Sequence, residues 1–253
     1  RGFNTSAAPA IGINQLFWLG SKTSLKVAAS ISQNYNVPTF NQRYWVGFGN
    51  PNLLNEKGNN GEISYTLQSD LDNFKLEFHA GVYYSVVEDY IKSVPFTEEM
   101  KVKNPDLNIK LGDWTAINIA ETENKGIESS IKGSMDGNHV QQEFKIMYNR
   151  TKSIANKAHY NYPTKLNTQL PYVPVNTFNL FYFVNIENIF GAMVEGYFTG
   201  ERNNVDFSED TLEEYMLWNV TLSKNIHLGK SGFDVHASLR NIFDVDYETY
   251  YQY

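Results

Sequence analysis

The chain has no cysteine, which removes disulfide frameworks, thiolate metal sites and cysteine nucleophiles together. Long apolar runs are missing too. The longest, Leu180 to Val184, falls far below the roughly 18 residues that mark a membrane-spanning helix, so helical spanning is excluded. A tilted strand crosses a bilayer with only ~9–11 residues and one apolar face, so a mean hydropathy of -0.44 leaves a β-barrel open. Basic charge is scarce: the net charge of -7 argues against a nucleic-acid partner, whose phosphates demand clustered Lys and Arg. Arg1-Gly2-Phe3-Asn4 lacks the charged start, apolar stretch and small-residue cleavage site of a leader peptide. The expectation is a removed leader or a chain that begins inside a longer protein.

Aromatic residues, by contrast, are abundant. They make up 15% of the chain, including 17 Tyr and 16 Phe, and Tyr and Trp favour places where one end of the ring is dry and the other wet. Residues Phe233 to Phe243 alternate, with Phe233, Val235, Ala237, Leu239 and Phe243 against Asp234, His236, Ser238 and Arg240. Side chains alternate faces along a strand, so this segment has one apolar and one wet face. The same pattern predicts strands near 10–19, 24–34, 60–69, 73–92, 115–132, 139–151, 176–185, 188–200, 214–227 and 232–243. Phe74, Leu76, Phe78, Ala80, Val82 and Tyr84 oppose Lys75, Glu77 and His79; Phe144, Ile146 and Tyr148 oppose Glu143, Lys145 and Asn149.

The connections alternate in length. Short turns are expected at Gly20-Ser21-Lys22-Thr23, Ser69 to Asn73, Gly133 to Asn138, Asn185 to Asn188 and Gly229 to Gly232, with long loops near 35–59, 93–114, 152–175 and 201–213. Successive antiparallel strands reverse direction, so short turns gather at one end and long loops at the other. Outer-membrane barrels have that layout, whereas a propeller or Greek-key sandwich mixes the lengths. The fold class expected is all-β: an antiparallel transmembrane β-barrel segment of about ten strands. No repeat and no Pro- or Ser-rich linker divides the chain.

Four segments carry a family resemblance. Gly49-Asn50-Pro51-Asn52-Leu53-Leu54-Asn55-Glu56-Lys57, with Gly61-Glu62-Ile63 after it, resembles a recurring signature of TonB-dependent outer-membrane receptors. Asn118-Ile119-Ala120-Glu121 through Lys125-Gly126-Ile127-Glu128, then Leu170-Pro171-Tyr172-Val173-Pro174 with Thr177-Phe178-Asn179-Leu180, follow in the family's order. Leu239-Arg240-Asn241-Ile242-Phe243-Asp244 with Tyr247 resembles the end of its penultimate strand. The resemblance implies that residues 1–253 are part of a barrel of about 22 strands. It also implies a plug domain that engages TonB; no plug is recognised here, and Asp244 to Tyr253 reads as an external loop rather than a closing strand. Open edges are costly in hydrocarbon, so a fragment of a larger receptor is expected.

The family implies a ligand pocket at the external mouth. Candidates are Arg43, Tyr44 and Trp45 in the first long loop, Arg150 and Lys152 at the top of a strand, and Tyr160 and Tyr162 in the next loop. Arg and aromatic groups suit anionic, aromatic iron chelates, making a ferric siderophore the expected ligand. A glycan or other nutrient importer of the same family is the alternative, and a soluble β-sandwich binding module the more distant one. Haem is disfavoured: Tyr35-Asn36-Val37-Pro38 stands where haem receptors carry Phe-Arg-Ala-Pro, and no His separates it from Asn50. His79, His139, His159, His227 and His236 lack metal-ligand spacing, so neither metal nor cofactor is expected. Asp234, His236 and Ser238 share a face, but no Gly-x-Ser-x-Gly elbow accompanies them and they read as lumen lining rather than a hydrolase triad. Partners expected are outer-membrane lipid, a small nutrient ligand and, through the absent plug, TonB. Glu77, Glu143, Lys145, Glu195 and Arg240 should face the lumen.

Overall fold

The computed structural model describes residues 7–158, 165–204, 211–229 and 231–249. Its strands are β1 (Ala10–Trp18), β2 (Thr23–Asn36), β3 (Glu56–Leu71), β4 (Phe74–Pro95), β5 (Trp114–Asp136), β6 (Val140–Lys157), β7 (Asn176–Ile186), β8 (Phe190–Thr199), β9 (Arg202–Asn203), β10 (Thr211–Leu212), β11 (Tyr215–Leu228) and β12 (Ser231–Leu239). Ten form one antiparallel sheet in the order β1-β2-β3-β4-β5-β6-β7-β8-β11-β12, and β9 pairs with β10 in a separate two-stranded piece. Nearest-neighbour order throughout is the up-and-down wall that alternating turns and loops imply. Among the described residues no helix is long and apolar enough to cross a membrane, which leaves spanning to the strands.

Register aligns the two faces across the whole wall. Ile13, Ala29, Ile63, Val82 and Ile127 are direct partners in turn, as are Phe144, Tyr182 and Val194. This is the dry exterior. On the other face Lys26, Thr66, His79, Ser130, Met147, Asn179 and Tyr197 form a row. There the polar groups satisfy one another: Gln68 donates to Glu77 at 2.7 Å, Ser85 to Asn60 at 2.6 Å and Tyr197 to Glu195 at 2.7 Å. Glu77, Glu143, Lys145 and Glu195 all lie on this inner face, as expected.

Strands run further than the alternation does. β4 has 22 residues and β6 ends at Lys157, not 151, because the ladder continues above the lipid band, where β6 turns mostly polar on both faces and the apolar Ile91 and Val94 of β4 are covered by loops. At ~3.3 Å per residue β4 is about 70 Å long, far more than a bilayer requires. At the other end β12 stops at Leu239, short of the expected Phe243. Asn241, with φ 50°, turns the chain: its backbone N–H donates to Asn219 Oδ1 at 2.9 Å and its own Oδ1 accepts from Val245 N at 3.0 Å.

One glycine has a packing role on the inner face. A Cβ on Gly126 would sit 2.5 Å from the hydroxyl oxygen of Tyr83, whose ring crosses β5 so that its hydroxyl meets Thr151 Oγ1 at 2.7 Å on β6. Gly126→Val should therefore evict Tyr83 and destabilise the wall by ~1–3 kcal/mol, as overpacking does. Urea unfolding in liposomes measures it; an unchanged midpoint contradicts the contact.

Candidate ligand-recognition mouth

The loop from Val37 to Asn55 is built from the bottom up by side chains that bond backbone. Thr39 and Gln42 form a capping box, with Gln42 N donating to Thr39 Oγ1 at 3.2 Å and Thr39 N to Gln42 Oε1 at 2.8 Å, which starts the short helix α1 (Phe40–Tyr44). Below it Asn50 is fully buried: Nδ2 donates to Ala116 O at 3.0 Å while Oδ1 accepts from Asn52 N at 3.0 Å. Asn118 holds the next residue from both sides, accepting from Leu54 N at 2.9 Å and donating to Leu54 O at 3.3 Å. Leu53 packs on the inner-facing Ile91 and Ala116, with Phe48 beside them. Gly49 is required by space, since a Cβ there would lie 2.7 Å from the backbone of Arg43, Tyr44 and Trp45.

Fastened this way, the loop turns its aromatics outward. Phe40, Tyr44 and Trp45 are 74%, 55% and 61% exposed, and the Phe40 and Tyr44 rings stand 5.2 Å apart. Rings so exposed on a pinned loop are not part of a core, and exposed apolar clusters of this kind are candidates for contact with a ligand. The inner wall beneath carries amides and hydroxyls at Asn60, Tyr83, Ser85, Asn124, Thr151 and Ser153, with the carboxylates of Glu62, opposite Tyr83, and Glu128 below them.

The other long loops pack separately. The segment after β4, including α2 (Glu98–Lys103), buries Phe96, Met100, Leu107 and Ile109 against Val94 and Ile117. Leu170, of the Leu-Pro-x-x-Pro segment, packs with Ile119 and Ala155, and Tyr172 donates to Asn204 at 2.9 Å, tying two loops together. On the strand extensions, the hydrogen bond from Lys125 holds the Glu123 carboxyl below the usual carboxylate range, and the bond to Glu121 lifts the Lys157 ammonium above its ordinary value.

The residues singled out from sequence thus divide. Tyr44 and Trp45 stand together in the mouth. Arg43 is adjacent but half-buried, its Nη2 donating to Leu53 O at 2.7 Å, so its guanidinium fastens the loop. Arg150 and Lys152 are elsewhere: they share the outer face with Tyr148 and Ile146, because strand parity counted from Ile146 carries them away from the lumen. Tyr160 and Tyr162 lie outside the described residues. Sequence reasoning missed Phe40, and took Asn50 and Asn118 as signature letters; Asn-Pro after Gly was the available sign of a side chain closing a turn. Asp234 and Ser238 bond across strands, to Asn225 at 2.7 Å and Thr221 at 3.0 Å, as lumen lining does.

A wall that is dry outside, hydrogen-bonded and polar inside, and long-looped at one rim defines part of a transmembrane β-barrel of the outer-membrane type. The family model "TonB dependent receptor-like, beta-barrel" matches residues 4–242, and the chain belongs to that family of outer-membrane proteins. A vitamin B12 transporter BtuB from Photobacterium profundum is 35% identical over 106 residues, covering 42% of this chain and 15% of the relative. Another BtuB, from Vibrio vulnificus, is 25% identical over 225 residues, covering 87% and 30%. The chain therefore spans less than a third of the length of these curated relatives. Among solved structures, the ferric-catecholate import receptor Fiu from K12 E. coli has the same fold, with a TM-score of 0.62 at 16% identity over 94% of this chain and 31% of that one.

Proposed function

We propose that this chain forms the part of a TonB-dependent importer's wall that carries recognition loops, and that the ligand is a large, neutral, amide-rimmed metal chelate of the corrinoid class. The observation that carries this reading is the mouth's chemistry. Three exposed rings stand over an inner wall of amides, hydroxyls and the carboxylates of Glu62 and Glu128, with no cation beside them among the described residues to hold an anion. The three cations expected for an anionic siderophore are otherwise placed: Arg43 in the loop's fastening, Arg150 and Lys152 on the exterior. Rings stack on a flat macrocycle, and neutral polar groups match its amide rim without demanding charge. The 35% identity to a vitamin B12 transporter supports the same choice. A ferric siderophore is the second reading, supported by the exposed Lys101 and Lys110 on the neighbouring loop. Import would be energised by TonB through the receptor's plug.

The test is ligand binding by the whole receptor purified in detergent, with cyanocobalamin and a ferric tricatecholate compared by equilibrium dialysis. Cyanocobalamin should bind, and the double change Tyr44→Ala, Trp45→Ala should weaken it by about tenfold or more, the cost of removing anchor aromatics. Binding of the ferric tricatecholate without cyanocobalamin refutes the corrinoid reading in favour of the siderophore.

A further inference from the structure

Leu170-Pro171-Tyr172-Val173 is a β-turn, closed by Val173 N donating to Leu170 O at 3.3 Å. Proline suits the second position of such a turn, and a positive φ at the third favours glycine or asparagine. The residue there is Tyr172, at φ 63°. A bulky side chain is a costly occupant of the left-handed region, and it persists only where its surroundings hold it. What holds Tyr172 is the ribbon of β9 and β10 on the next long loop. Tyr172 N donates to Asn203 O at 2.8 Å and its hydroxyl to Asn204 Oδ1 at 2.9 Å, while Asn203 Nδ2 donates back to Gln169 O at 2.7 Å.

The two sides of this contact are fixed unequally. The other long loops rest on buried apolar clusters, through Leu53, through Phe96 and Met100, and through Leu170 itself. Gln169 is pinned to β6 as well, accepting from Ser153 N at 2.9 Å and donating to Thr151 O at 3.2 Å. The described part of the ribbon enters none of those clusters; Leu212, though buried, lies outside them. It is braced within itself, by the pairing of Asn203 with Thr211 and Arg202 with Leu212 and by Arg202 Nη2 donating to Glu213 O at 2.8 Å. A self-braced piece with polar attachments opens at lower cost than one seated on a core. We infer that Tyr172 is a two-state latch between these loops. In the closed state the ribbon holds the tyrosine left-handed; in the open state the three bonds part in one event and Tyr172 leaves that region. The mouth then has a fixed rim, carrying Phe40, Tyr44 and Trp45, and a hinged rim whose position this turn sets. Coupling runs both ways, because every bond of the latch joins one loop to the other.

Backbone hydrogen exchange of the whole receptor in detergent, read by mass spectrometry, tests the latch. Tyr172→Phe removes the hydroxyl bond and Asn203→Ala the side-chain amide bond, one from each loop. Either change should speed exchange about tenfold, the loss of one hydrogen bond, in both 169–173 and 200–204 and by matching factors. Segments 50–54 and 115–119 should keep the parent's rate. A substitution that loosens only its own loop overturns the inference, as does one that loosens neither, or one whose effect spreads to 50–54 and 115–119. The left-handed backbone has a test of its own. Tyr172→Gly and Tyr172→Ala both lose the ring and its hydroxyl, but only glycine takes a positive φ freely. The glycine variant should therefore keep more protection across 200–204 than the alanine variant. The opposite order, which glycine's greater chain freedom would otherwise produce, overturns the latch.

Discussion

Val194→Arg should cost the inserted barrel about 2–4 kcal/mol, the penalty for a cation on the lipid face near the bilayer midplane. Val194 sits mid-strand between Tyr182 and Val220, with Trp218 lying over Gly196 beside it, so an arginine there meets rings and hydrocarbon on every side. Its head could reach the interface only by lying along that packed surface, displacing contacts as it goes. The matched control is Thr221→Arg on the neighbouring strand β11. Thr221 faces inward and bonds Ser238 at 3.0 Å, so arginine there loses one exposed hydrogen bond and gains a wet lumen, at about 1 kcal/mol. Urea titrations of the whole receptor in liposomes give both numbers. If Thr221→Arg proves the more costly, the faces of the entire wall are exchanged, because register ties them together.

That tie explains how much of the fold was legible in the sequence. In a sheet with one apolar face, a slip of one residue reverses every side chain, so the pattern Phe74, Leu76, Phe78 fixes face and register at once. Inside the hydrocarbon band the sequence therefore predicts strands within a few residues of those observed. Above the band the constraint ends. Glu121, Glu123 and Lys125 share an outer face with Ile127 and Ile131, yet nothing in their polarity distinguishes that face from the inner one. This is where β6 continues unannounced to Lys157. Arg150 and Lys152 looked like mouth residues because charge beside a long loop suggests a binding site, whereas parity counted from Ile146 already placed them outside. Parity was the stronger signal.

The mouth was less legible for a different reason. Alternation cannot describe a loop held by side chains bonding distant backbone: Asn50 reaches Ala116, and Asn118 reaches Leu54, across more than sixty residues of sequence. The family resemblance had pointed to Tyr44 and Trp45, but the residues that hold them in place are small amides and a glycine. Arg43, chosen for its charge, belongs with those fasteners.

Asn50→Ala should accordingly release the loop while leaving the wall intact. The change strips the acceptor from Asn52 N and the donor from Ala116 O in a position with no exposure, and each buried group left unpaired costs about 1–3 kcal/mol. Hydrogen exchange should rise across Val37–Asn55, limited proteolysis should gain a site there, and the urea midpoint of the barrel in liposomes should stay near that of the parent. Ligand affinity should fall with the loop's order, because Tyr44 and Trp45 then bear the entropy of being fixed at the moment of binding. Asn50→Asp separates hydrogen bonding from shape. It keeps the acceptor for Asn52 N but turns an oxygen toward Ala116 O, so it should loosen the loop nearly as much as alanine does. A loop that keeps its protection in both variants would mean that Leu53, Phe48 and the Arg43 bond suffice to hold it, and that the buried amide is a passenger.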